Sequence, residues 1–206
     1  MKSGTVKINK HKIDFSHTEK IYFPKLKISK GEVLDYYDKI FKIMLPHIKN
    51  RPMVMQRFPQ GIGQKGFYHK DRPDYFPDWL DRVKVKLEKS GQQTLNVINK
   101  KEDLLYMVDQ GTVCFHPWLS LKSDVYRPDK IIFDLDPAKG DFLTVKFTAY
   151  KVRDILKDYG LIPFVMTTGK RGLHVVAPIK VKYDFDRVRE FVKKIANKVF
   201  DKYLNS

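Results

Sequence analysis

The chain has 206 residues, 42% of them hydrophobic and 13% aromatic, which is enough to bury a core. Its formal net charge of +16 favours a polyanionic partner such as nucleic acid, although a lysine-rich solvated surface would have the same composition. No stretch approaches the roughly 18 apolar residues that span a bilayer, and no basic amphipathic helix has a bulky apolar face separate from the core, so we expect no membrane partner.

The first predicted elements are a weak edge strand within residues 1–19 and a long helix over 30–48. Ser29–Glu32 has the spacing of a capping box and marks the start of the helix. Lys30 lies in the first turn, where free backbone N–H groups would favour a bound anion. Together with Lys20 it could hold a phosphate, although two surface lysines are the simpler interpretation.

An aromatic and basic stretch, Phe67–Lys70, follows a predicted strand over 53–58 and a glycine-containing turn. Rings interleaved with cations can stack on bases while holding phosphates, but packing beside the turn is the commoner role of such rings. Alternating residues over 83–98, with a turn at Ser90-Gly91, then predict a β-hairpin that has one basic face.

The middle of the chain predicts a short helix over 101–110 that ends at Gly111, then a strand over 113–118. Cys114 lies in this strand, and we expect it to be a small core residue rather than a nucleophile. A single cysteine excludes an intramolecular disulfide and agrees with a reducing cytosol. His116 near the end of the strand is typical of a satisfied structural residue.

Two carboxylates mark the end of the strand over 131–137. Residues two apart on a strand point to the same face, so Asp134 and Asp136 are predicted to project side by side. Because two carboxylates without an intervening cation repel each other, a divalent cation between them is one interpretation. The other is a strand that runs into a turn, where Asp is common.

The C-terminal part predicts a helix over 142–156 closed by Gly160, a strand over 161–166, and a last amphipathic helix from 185 to about 203. The first of these helices joins the two flanking strands as a βαβ unit.

The loop Thr167–Gly172 joins the last two predicted strands and contains two glycines, two hydroxyls, Lys170 and Arg171. It is a plausible phosphate cradle, but it is not a P-loop because no helix follows. His174 shares a strand face with Val176. With the aspartates, these groups have the chemistry that two-metal nucleotidyl transfer requires.

Several motifs, in the same order along the chain from about Ser16, resemble the polymerase domain of bacterial ligase D, in the archaeo-eukaryotic primase superfamily. They are Leu45–His47, Arg51-Pro52, Gln56–Pro59, His116–Trp118, Phe133–Pro137 and Thr168–His174. The resemblance implies an α+β primase-polymerase fold. An N-terminal α/β unit that binds DNA ends (1–120) would pack on an RRM-like βαβ core with an antiparallel sheet (121–206).

The resemblance also implies a metal-dependent nucleotidyltransferase that adds nucleotides, preferably ribonucleotides, to DNA 3′ ends at double-strand breaks in non-homologous end joining. The expected cofactor is Mn²⁺ or Mg²⁺ in a two-metal site, with NTP or dNTP as substrate. The expected partners are DNA with 5′-phosphorylated ends or gaps, Ku and a DNA ligase, in a nucleoid-associated, cytoplasmic location. The alternative is a catalytically weak or inactive module that binds 5′-phosphorylated ends. A glycosyltransferase with an Asp-x-Asp metal site is a further alternative, but it leaves the +16 charge unexplained.

Residue roles follow from the matched motifs. Asp134 and Asp136 would be catalytic metal ligands, and Lys20 and Lys30 would bind the DNA 5′-phosphate. The residues expected to bind the nucleotide are His116, Thr168, Lys170, Arg171, Gly172 and His174. Those expected to contact the DNA template are Arg57, Phe67 and Tyr68. The hairpin around Ser90-Gly91 would project to bridge two DNA ends.

The chain departs from the family pattern in three ways. Thr168 stands where the family commonly has Ser, and Lys170-Arg171 replaces a small residue followed by Lys, which changes the donor geometry. The resemblance also implies a third metal-binding carboxylate, which the family takes from a segment beyond the position of Ser206. Asp184 and Asp186 lie at the start of the last predicted helix, where we expect them to be capping or surface groups. A truncated chain, a short form completed by another polypeptide, and a binding module that catalyses poorly are all compatible with this departure.

Overall fold

Antiparallel sheets flanked by helices organise the chain. The computed structural model describes residues 1–87, 91–137 and 141–203. The chain divides into two units, Met1–Trp118 and Leu119–Ser206. Both units combine helices with antiparallel strands, which agrees with the α+β fold class predicted above.

The first unit is built on a five-stranded antiparallel sheet in the order β6-β5-β8-β7, with β9 also paired to β5. Its elements are β1 (Gly4–Ile8), β2 (His11–Phe15), β3 (Ile21–Phe23), a 3-10 turn (Pro24–Leu26), β4 (Ile28–Ser29), α1 (Lys30–Ile48), β5 (Pro52–Arg57), β6 (Phe67–His69), β7 (Arg82–Leu87), β8 (Gly91–Val97), α2 (Lys101–Asp109) and β9 (Thr112–Pro117).

The long helix predicted for residues 30–48 is confirmed as α1, and the capping box explains where it begins. The Ser29 hydroxyl accepts a hydrogen bond from the Glu32 backbone N–H at 3.2 Å, and the Glu32 carboxylate accepts one from the Ser29 N–H at 2.7 Å. Apolar residues of α1 such as Leu34 are fully buried in the core of this unit. Reciprocal caps of this kind stabilise a helix start without tertiary help.

The hairpin predicted over 83–98 is confirmed as β7 and β8, paired from Arg82↔Asn96 to Leu87↔Gly91. Val85 is fully buried whereas Lys84 is exposed, so the alternation separates a core face from a basic face. Ser90, in the turn to which an end-bridging role was assigned, lies outside the described residues.

The prediction that Cys114 is a core residue is wrong. In the pairing of β5 with β9, Cys114 lies opposite Gln56 and Phe115 lies opposite Met55. Met55 is buried, so Phe115 points toward the core and Cys114 points to the exposed face. The strand was correctly located, but the composition of its short apolar run did not reveal which alternate residues are buried.

The second unit contains a three-stranded antiparallel sheet, β12-β14-β13, and a small two-stranded sheet that precedes it in the sequence. Its elements are β10 (Ser120–Leu121), β11 (Asp124–Pro128), β12 (Lys130–Leu135), α3 (Phe142–Asp158), β13 (Phe164–Thr167), β14 (Leu173–Pro178) and α4 (Phe185–Tyr203). Both β12 and β13 are antiparallel to β14, so they are parallel to each other, and α3 connects them. The predicted βαβ unit is therefore present, with β14 inserted between its two strands.

Both helices of this unit contribute to one core with the inward residues of the sheet. Val145, Val152, Leu156 and Ile195 from the helices are buried together with Ile131, Phe133, Val175 and Ala177 from the strands. The alternate residues of β12 and β14 therefore lie on a second face of the sheet that the core does not cover. That face carries the predicted carboxylates.

Among the described helices of both units, none combines the length and the apolar composition needed to cross a membrane.

Candidate functional site

Asp134 and His174 form the centre of the candidate site in the second unit. They lie directly opposite each other on β12 and β14. The His174 Nε2 atom is 3.1 Å from Asp134 Oδ1, and the Asp134 side chain is 66% exposed. The His174 Nδ1 atom is buried and has no hydrogen-bond partner among the described residues. The ring is therefore held against the carboxylate while one oxygen of Asp134 stays available to a ligand.

Asp136 follows the end of β12, two residues after Asp134, and is also exposed. Gly172 is packed beneath it. A Cβ atom added to Gly172 would collide with Asp136 Oδ1 and would lie 2.7 Å from the Leu135 carbonyl oxygen. Glycine is required at this position because the loop passes so close to the end of the carboxylate-bearing strand.

Thr168 closes the loop that ends at Gly172. Its hydroxyl donates to the Gly172 carbonyl at 3.1 Å and accepts from the Gly172 N–H at 3.3 Å. Gly169 has a φ of +77°, a backbone conformation that is unfavourable for residues with a side chain. The Thr168 hydroxyl, predicted to contact the nucleotide, is thus used within the loop and holds its shape.

Lys170 and Arg171 project from this loop and are exposed. Neither side chain forms an ion pair or hydrogen bond with another described residue, so both cations are available to an anionic ligand. They lie on the same short loop whose last residue packs against Asp136, which places positive charge next to the carboxylates.

Asp134 and Asp136 fit a divalent cation by the chemistry of their donors, since Mg²⁺ and Mn²⁺ prefer carboxylate oxygens. Both are exposed and neighbouring, and His174 orients the first. Within residues 1–87, 91–137 and 141–203, no group of three or more His, Cys, Asp or Glu side chains is placed to hold a metal ion. Asp184 and Asp186 instead serve α4: Asp184 accepts a hydrogen bond from the Arg187 N–H, and Asp186 pairs with Arg189.

In the first unit, the structure brings Tyr68 and His116 together. Their ring centroids are 5.5 Å apart, and the register places both on the exposed face of the sheet with Gln56 and Cys114. Partial burial lowers the pKa of His116 below its ordinary value, so the ring is neutral near pH 7. A neutral imidazole beside an exposed phenol can donate or accept hydrogen bonds and can stack on a flat ligand.

Phe67 and Tyr68, predicted as one aromatic pair, point to opposite faces of β6. Phe67 lies opposite Arg57 and Tyr68 lies opposite Gln56, because neighbouring residues of a strand alternate. Both rings remain exposed, at 45% and 56%. The structure therefore offers two separate ring surfaces rather than one continuous stacking platform.

Arg57 is 7% exposed and is held by its own unit. Its Nε donates to the Gln110 carbonyl at 2.8 Å, and its Nη1 donates to His69 Nδ1 at 2.8 Å. The guanidinium also packs 5.6 Å from the centroid of Phe67. Burial, and then the neighbouring Arg57 charge, lowers the pKa of His69, which keeps the acceptor nitrogen unprotonated. Much of the hydrogen-bonding capacity of Arg57 is thus used inside the protein.

Lys20 and Lys30 are adjacent, since the Lys30 backbone N–H donates to the Lys20 carbonyl at 2.7 Å. Their ammonium groups differ. Lys30 Nζ is buried, 2.7 Å from Asp109 Oδ1, and also donates to the Ser16 carbonyl at 2.6 Å. Lys20 Nζ donates to the carbonyl of Pro59 and the side chain of Gln60. Both cations hold together segments that are distant in sequence.

The expectation of free N–H groups at the start of α1 is wrong. The Lys30 N–H is bonded to Lys20, the Gly31 N–H donates to the Thr18 carbonyl at 2.8 Å, and the Glu32 N–H is bonded to the Ser29 cap. The turn before the helix folds back over these donors. An anion near Lys20 would have to be bound by side chains rather than by the helix terminus.

Sequence reasoning missed two residues that determine how these cations behave, Asp109 and His69. Asp109 lies at the end of α2 with a 2% exposed side chain, and His69 directly follows the aromatic pair. An acidic residue at a buried position of a helix is a signal for a buried ion pair, but it does not identify the partner.

The fold and the motifs together match known proteins. Residues 29–205 match the family model described as LigD, primase-polymerase domain. The chain is 32% identical over 171 residues to the Multifunctional non-homologous end joining protein LigD of Mycolicibacterium smegmatis, covering 82% of this chain and 22% of that protein. It is 29% identical over 188 residues to the Bifunctional non-homologous end joining protein LigD of Bacillus subtilis, covering 90% of this chain and 30% of that protein.

A solved structure agrees with these sequence matches. The polymerase domain from Mycobacterium tuberculosis ligase D, in complex with DNA, superposes with a TM-score of 0.86 at 27% identity, covering 92% of this chain and 69% of that one. This likeness confirms the α+β fold class and the predicted resemblance. The chain spans less than a third of the full-length curated relatives that it matches.

Proposed function

This chain belongs to the LigD primase-polymerase domain family, and from that membership we propose that it is a metal-dependent nucleotidyltransferase acting on DNA 3′ ends at double-strand breaks. The observation that carries the proposal is the junction of β12 and the loop before β14. There Asp134 and Asp136 are exposed beside His174, and Gly172 lets a loop with two available cations approach them.

In the proposed reaction, Asp134 and Asp136 would hold Mn²⁺ or Mg²⁺, which would supply positive charge that favours deprotonation of the attacking 3′-hydroxyl and stabilises the departing pyrophosphate. His174 orients the Asp134 carboxylate through Nε2, which fixes one metal ligand before substrate arrives. Lys170 and Arg171 bind the triphosphate of an NTP or dNTP, and Thr168 keeps the loop in the shape that presents them.

Other parts of the proposal rest on family membership alone. At the level of residues, these parts are the contact of His116 with the nucleotide, the binding of a DNA 5′-phosphate by Lys20 and Lys30, and the contacts of Arg57, Phe67 and Tyr68 with the template. At the level of the whole protein, they are the preference for ribonucleotides, a nucleoid-associated cytoplasmic location, and cooperation with Ku and a DNA ligase in end joining. The exposed rings of Phe67 and Tyr68 are available for such a role. Lys30 would have to leave its ion pair with Asp109, so Lys20 is the more accessible phosphate ligand.

The proposal is tested by primer extension with Mn²⁺ on recessed, 5′-phosphorylated DNA, using the 206-residue chain alone. Asp134→Asn and Asp136→Asn should each lower the extension rate by about a thousandfold, because a metal ligand supplies several kcal/mol of transition-state stabilisation. The matched control is Asp154→Asn, an exposed carboxylate on α3 that pairs with Arg153, which should extend at the wild-type rate. Unchanged rates in both ligand variants would exclude these residues as catalytic.

A second candidate function is a DNA-end-binding module without catalysis. It is favoured by the adjacency of Lys20 and Lys30 in the first unit, which is independent of the carboxylates. This function predicts tighter binding to 5′-phosphorylated than to 5′-hydroxyl gapped DNA, without extension of any primer. Lys20→Ala should remove the preference while Lys25→Ala, an exposed neighbour, should retain it. Equal affinity of the unmodified chain for both ends would rule this function out.

A further inference from the structure

The outer edge of β1 in the first unit is open. In the part of the chain that the structure describes, β1 pairs with β2 alone, in a register that ends at Ile8↔His11. The turn between the strands has two residues, the first of which, Asn9, has a φ of +50°. The pair that closes such a turn exchanges both backbone hydrogen bonds, and hydrogen-bonded pairs alternate along an antiparallel ladder. The backbone N–H and C=O groups of Thr5 and Lys7 therefore point away from β2.

A groove of about 650 Å³ borders this edge, between β1, α1 and the start of α2. Its floor is apolar, with Val6 and Ile8 from β1 and with Phe41 and Leu45 from α1. Val6 is paired with the buried Ile13, so it points to the core side of the hairpin, yet it is 39% exposed. The edge of β1 thus offers unpaired backbone groups beside an apolar surface that is partly open to solvent.

The sides of the groove carry positive charge. Four lysines, Lys7, Lys42, Lys100 and Lys101, line it together with one carboxylate, Asp38, among the described residues. Lys101 Nζ is 2.7 Å from Asp38 Oδ1, so these two charges compensate each other. The other three lysines are exposed and form no ion pair with a residue that the structure describes. Free cations around an apolar floor fit a ligand that combines carboxylates with apolar side chains.

We propose that this groove is a docking site for an extended, acidic segment of a partner protein, which adds a strand to the free edge of β1. Carboxylates and apolar residues alternate along the segment. Because successive strand residues point to opposite faces, its apolar residues lie beside Val6 and Ile8, and its carboxylates lie beside Lys7. Docking at this groove goes beyond the nucleotidyl transfer proposed above and does not involve the carboxylates of the second unit.

Two other occupants fit the groove less well. The sugar-phosphate backbone of DNA has the right charge, but it has no apolar side chain to cover Val6 and Phe41. A second copy of this chain would bring its own Lys7 to a groove that is already positive, and like charges that face each other across a sheet are destabilising. A lysine on an edge strand discourages pairing between identical chains for this reason.

The test uses a fluorescein-labelled peptide about nine residues long in which glutamate and valine alternate. It is titrated with the 206-residue chain and followed by fluorescence anisotropy. Lys7→Pro removes the outward N–H of β1 and leaves the hydrogen bonds to β2 in place, so we expect peptide binding to weaken by about tenfold or more. Lys7→Ala and Lys42→Ala should each weaken binding roughly threefold, because each removes one exposed cation.

Lys12 and Lys39 provide matched controls. Lys12 is paired with Lys7 on the same face of the hairpin but lies on β2, away from the free edge. Lys39 is an exposed cation of α1 outside the groove. Lys12→Ala and Lys39→Ala should bind the alternating peptide like the wild type. A peptide of the same composition, with its glutamates and valines in separate blocks, should bind about tenfold more weakly.

Each contrary result has a definite meaning. Failure of the alternating peptide to bind, equal binding of the block peptide, or equal losses in Lys7→Ala and Lys12→Ala would overturn the docking site, since only general attraction between charges would remain. Normal binding by a folded Lys7→Pro chain would exclude strand addition, and if this variant does not fold, the alanine variants decide. Tighter binding of duplex DNA with the same loss in Lys42→Ala would assign the groove to nucleic acid. A dimer in sedimentation that Lys7→Ala strengthens would assign it to a second copy.

Discussion

The cationic side chains predicted to bind ligands are buried and paired in the first unit but exposed in the second. In the first unit, Lys30 is buried against Asp109 and Arg57 is buried against Gln110 and His69. In the second unit, Lys170 and Arg171 are exposed on a loop and form no ion pair with another described residue. Sequence motifs assigned both groups to the binding of phosphate or nucleic acid.

The difference shows that a lysine or arginine side chain can either stabilise the fold through a buried ion pair or remain exposed and available to bind a ligand. A buried cation must be paired, because removing one partner leaves an uncompensated charge in a poorly solvated place. An exposed cation costs little to leave unpaired and keeps its full capacity for an anion. The two groups should therefore respond differently to substitution, in stability for the first unit and in ligand binding for the second.

In the second unit, the arrangement of the loop should be disrupted by Gly172→Val. A side chain there would collide with the Asp136 carboxylate and the Leu135 carbonyl, so the loop carrying Lys170 and Arg171 would be forced away from the carboxylates. We expect Mn²⁺-dependent primer extension to fall by about a hundredfold or more, since misplacement of about 1 Å has that cost. Circular dichroism should show that the fold persists. Extension at the wild-type rate would show that the close approach is unimportant.

The next effect tests the buried cation of the first unit. Lys30→Met should lower the free energy of unfolding by about 3–5 kcal/mol, because Asp109 would stay buried and unpaired. Urea unfolding followed by circular dichroism measures the loss. Adding Asp109→Leu should recover part of it, since an apolar pair can replace a buried ion pair, while the Ser16 N–H loses the Asp109 acceptor that lies 3.0 Å away.

The control for this substitution is Lys39→Met, which removes an exposed cation from the same helix and should change stability by no more than about 0.5 kcal/mol. If Lys30→Met were equally mild, the contrast between the two units would be lost.

The exposed cations should show the reverse pattern. Lys170→Ala and Arg171→Ala should each weaken binding of tripolyphosphate in Mg²⁺ by about tenfold, in line with about 1.5 kcal/mol for a charge-assisted hydrogen bond. Neither should shift the unfolding midpoint noticeably, because neither side chain is paired with another residue that the structure describes. A large loss of stability in either variant would mean that this loop, too, uses its cations structurally.

The smallest effect is a dependence of stability on pH through His69. Its pKa is lowered in the folded state, so the unfolded chain takes up the proton first as the pH falls below the ordinary value of 6.5. The contribution of the neutral ring is complete above that pH and is lost as the pH falls toward the folded pKa. Asp71 opposes the shift, and burial and Arg57 cause it.

Unfolding free energies at pH 7.5 and pH 5 should therefore differ less in His69→Gln than in the wild type. Glutamine can still accept the Arg57 hydrogen bond through its side-chain oxygen, so stability at pH 7.5 should be nearly retained. Identical pH dependence in both proteins would contradict a role for the His69–Arg57 bond in acid sensitivity.

Much of the fold could be predicted because its signals are local. The capping box at Ser29, the glycine stop after α2 and the alternation of Val83 and Val85 with lysines each depend on residues a few positions apart. The face of Cys114 could not be predicted, because both of its neighbours are apolar and burial is decided by the pairing of β9 with β5. The insertion of β14 between β12 and β13 is likewise a long-range choice.

For the candidate site, the residue types and their order establish the chemistry: two carboxylates at a strand end, a glycine-rich loop with two cations, and motifs that resemble one family. Whether these groups can reach a ligand depends on tertiary packing, that is, on burial and on partners distant in the chain. In the folded chain, Asp134 and Lys170 are exposed, whereas Lys30 is buried and paired with Asp109. The Thr168 hydroxyl forms hydrogen bonds within its own loop, and Phe67 and Tyr68 point to opposite faces of β6. This division arises because the type of a residue fixes its charge and its hydrogen-bond donors, whereas the packing around it determines whether those donors are already satisfied.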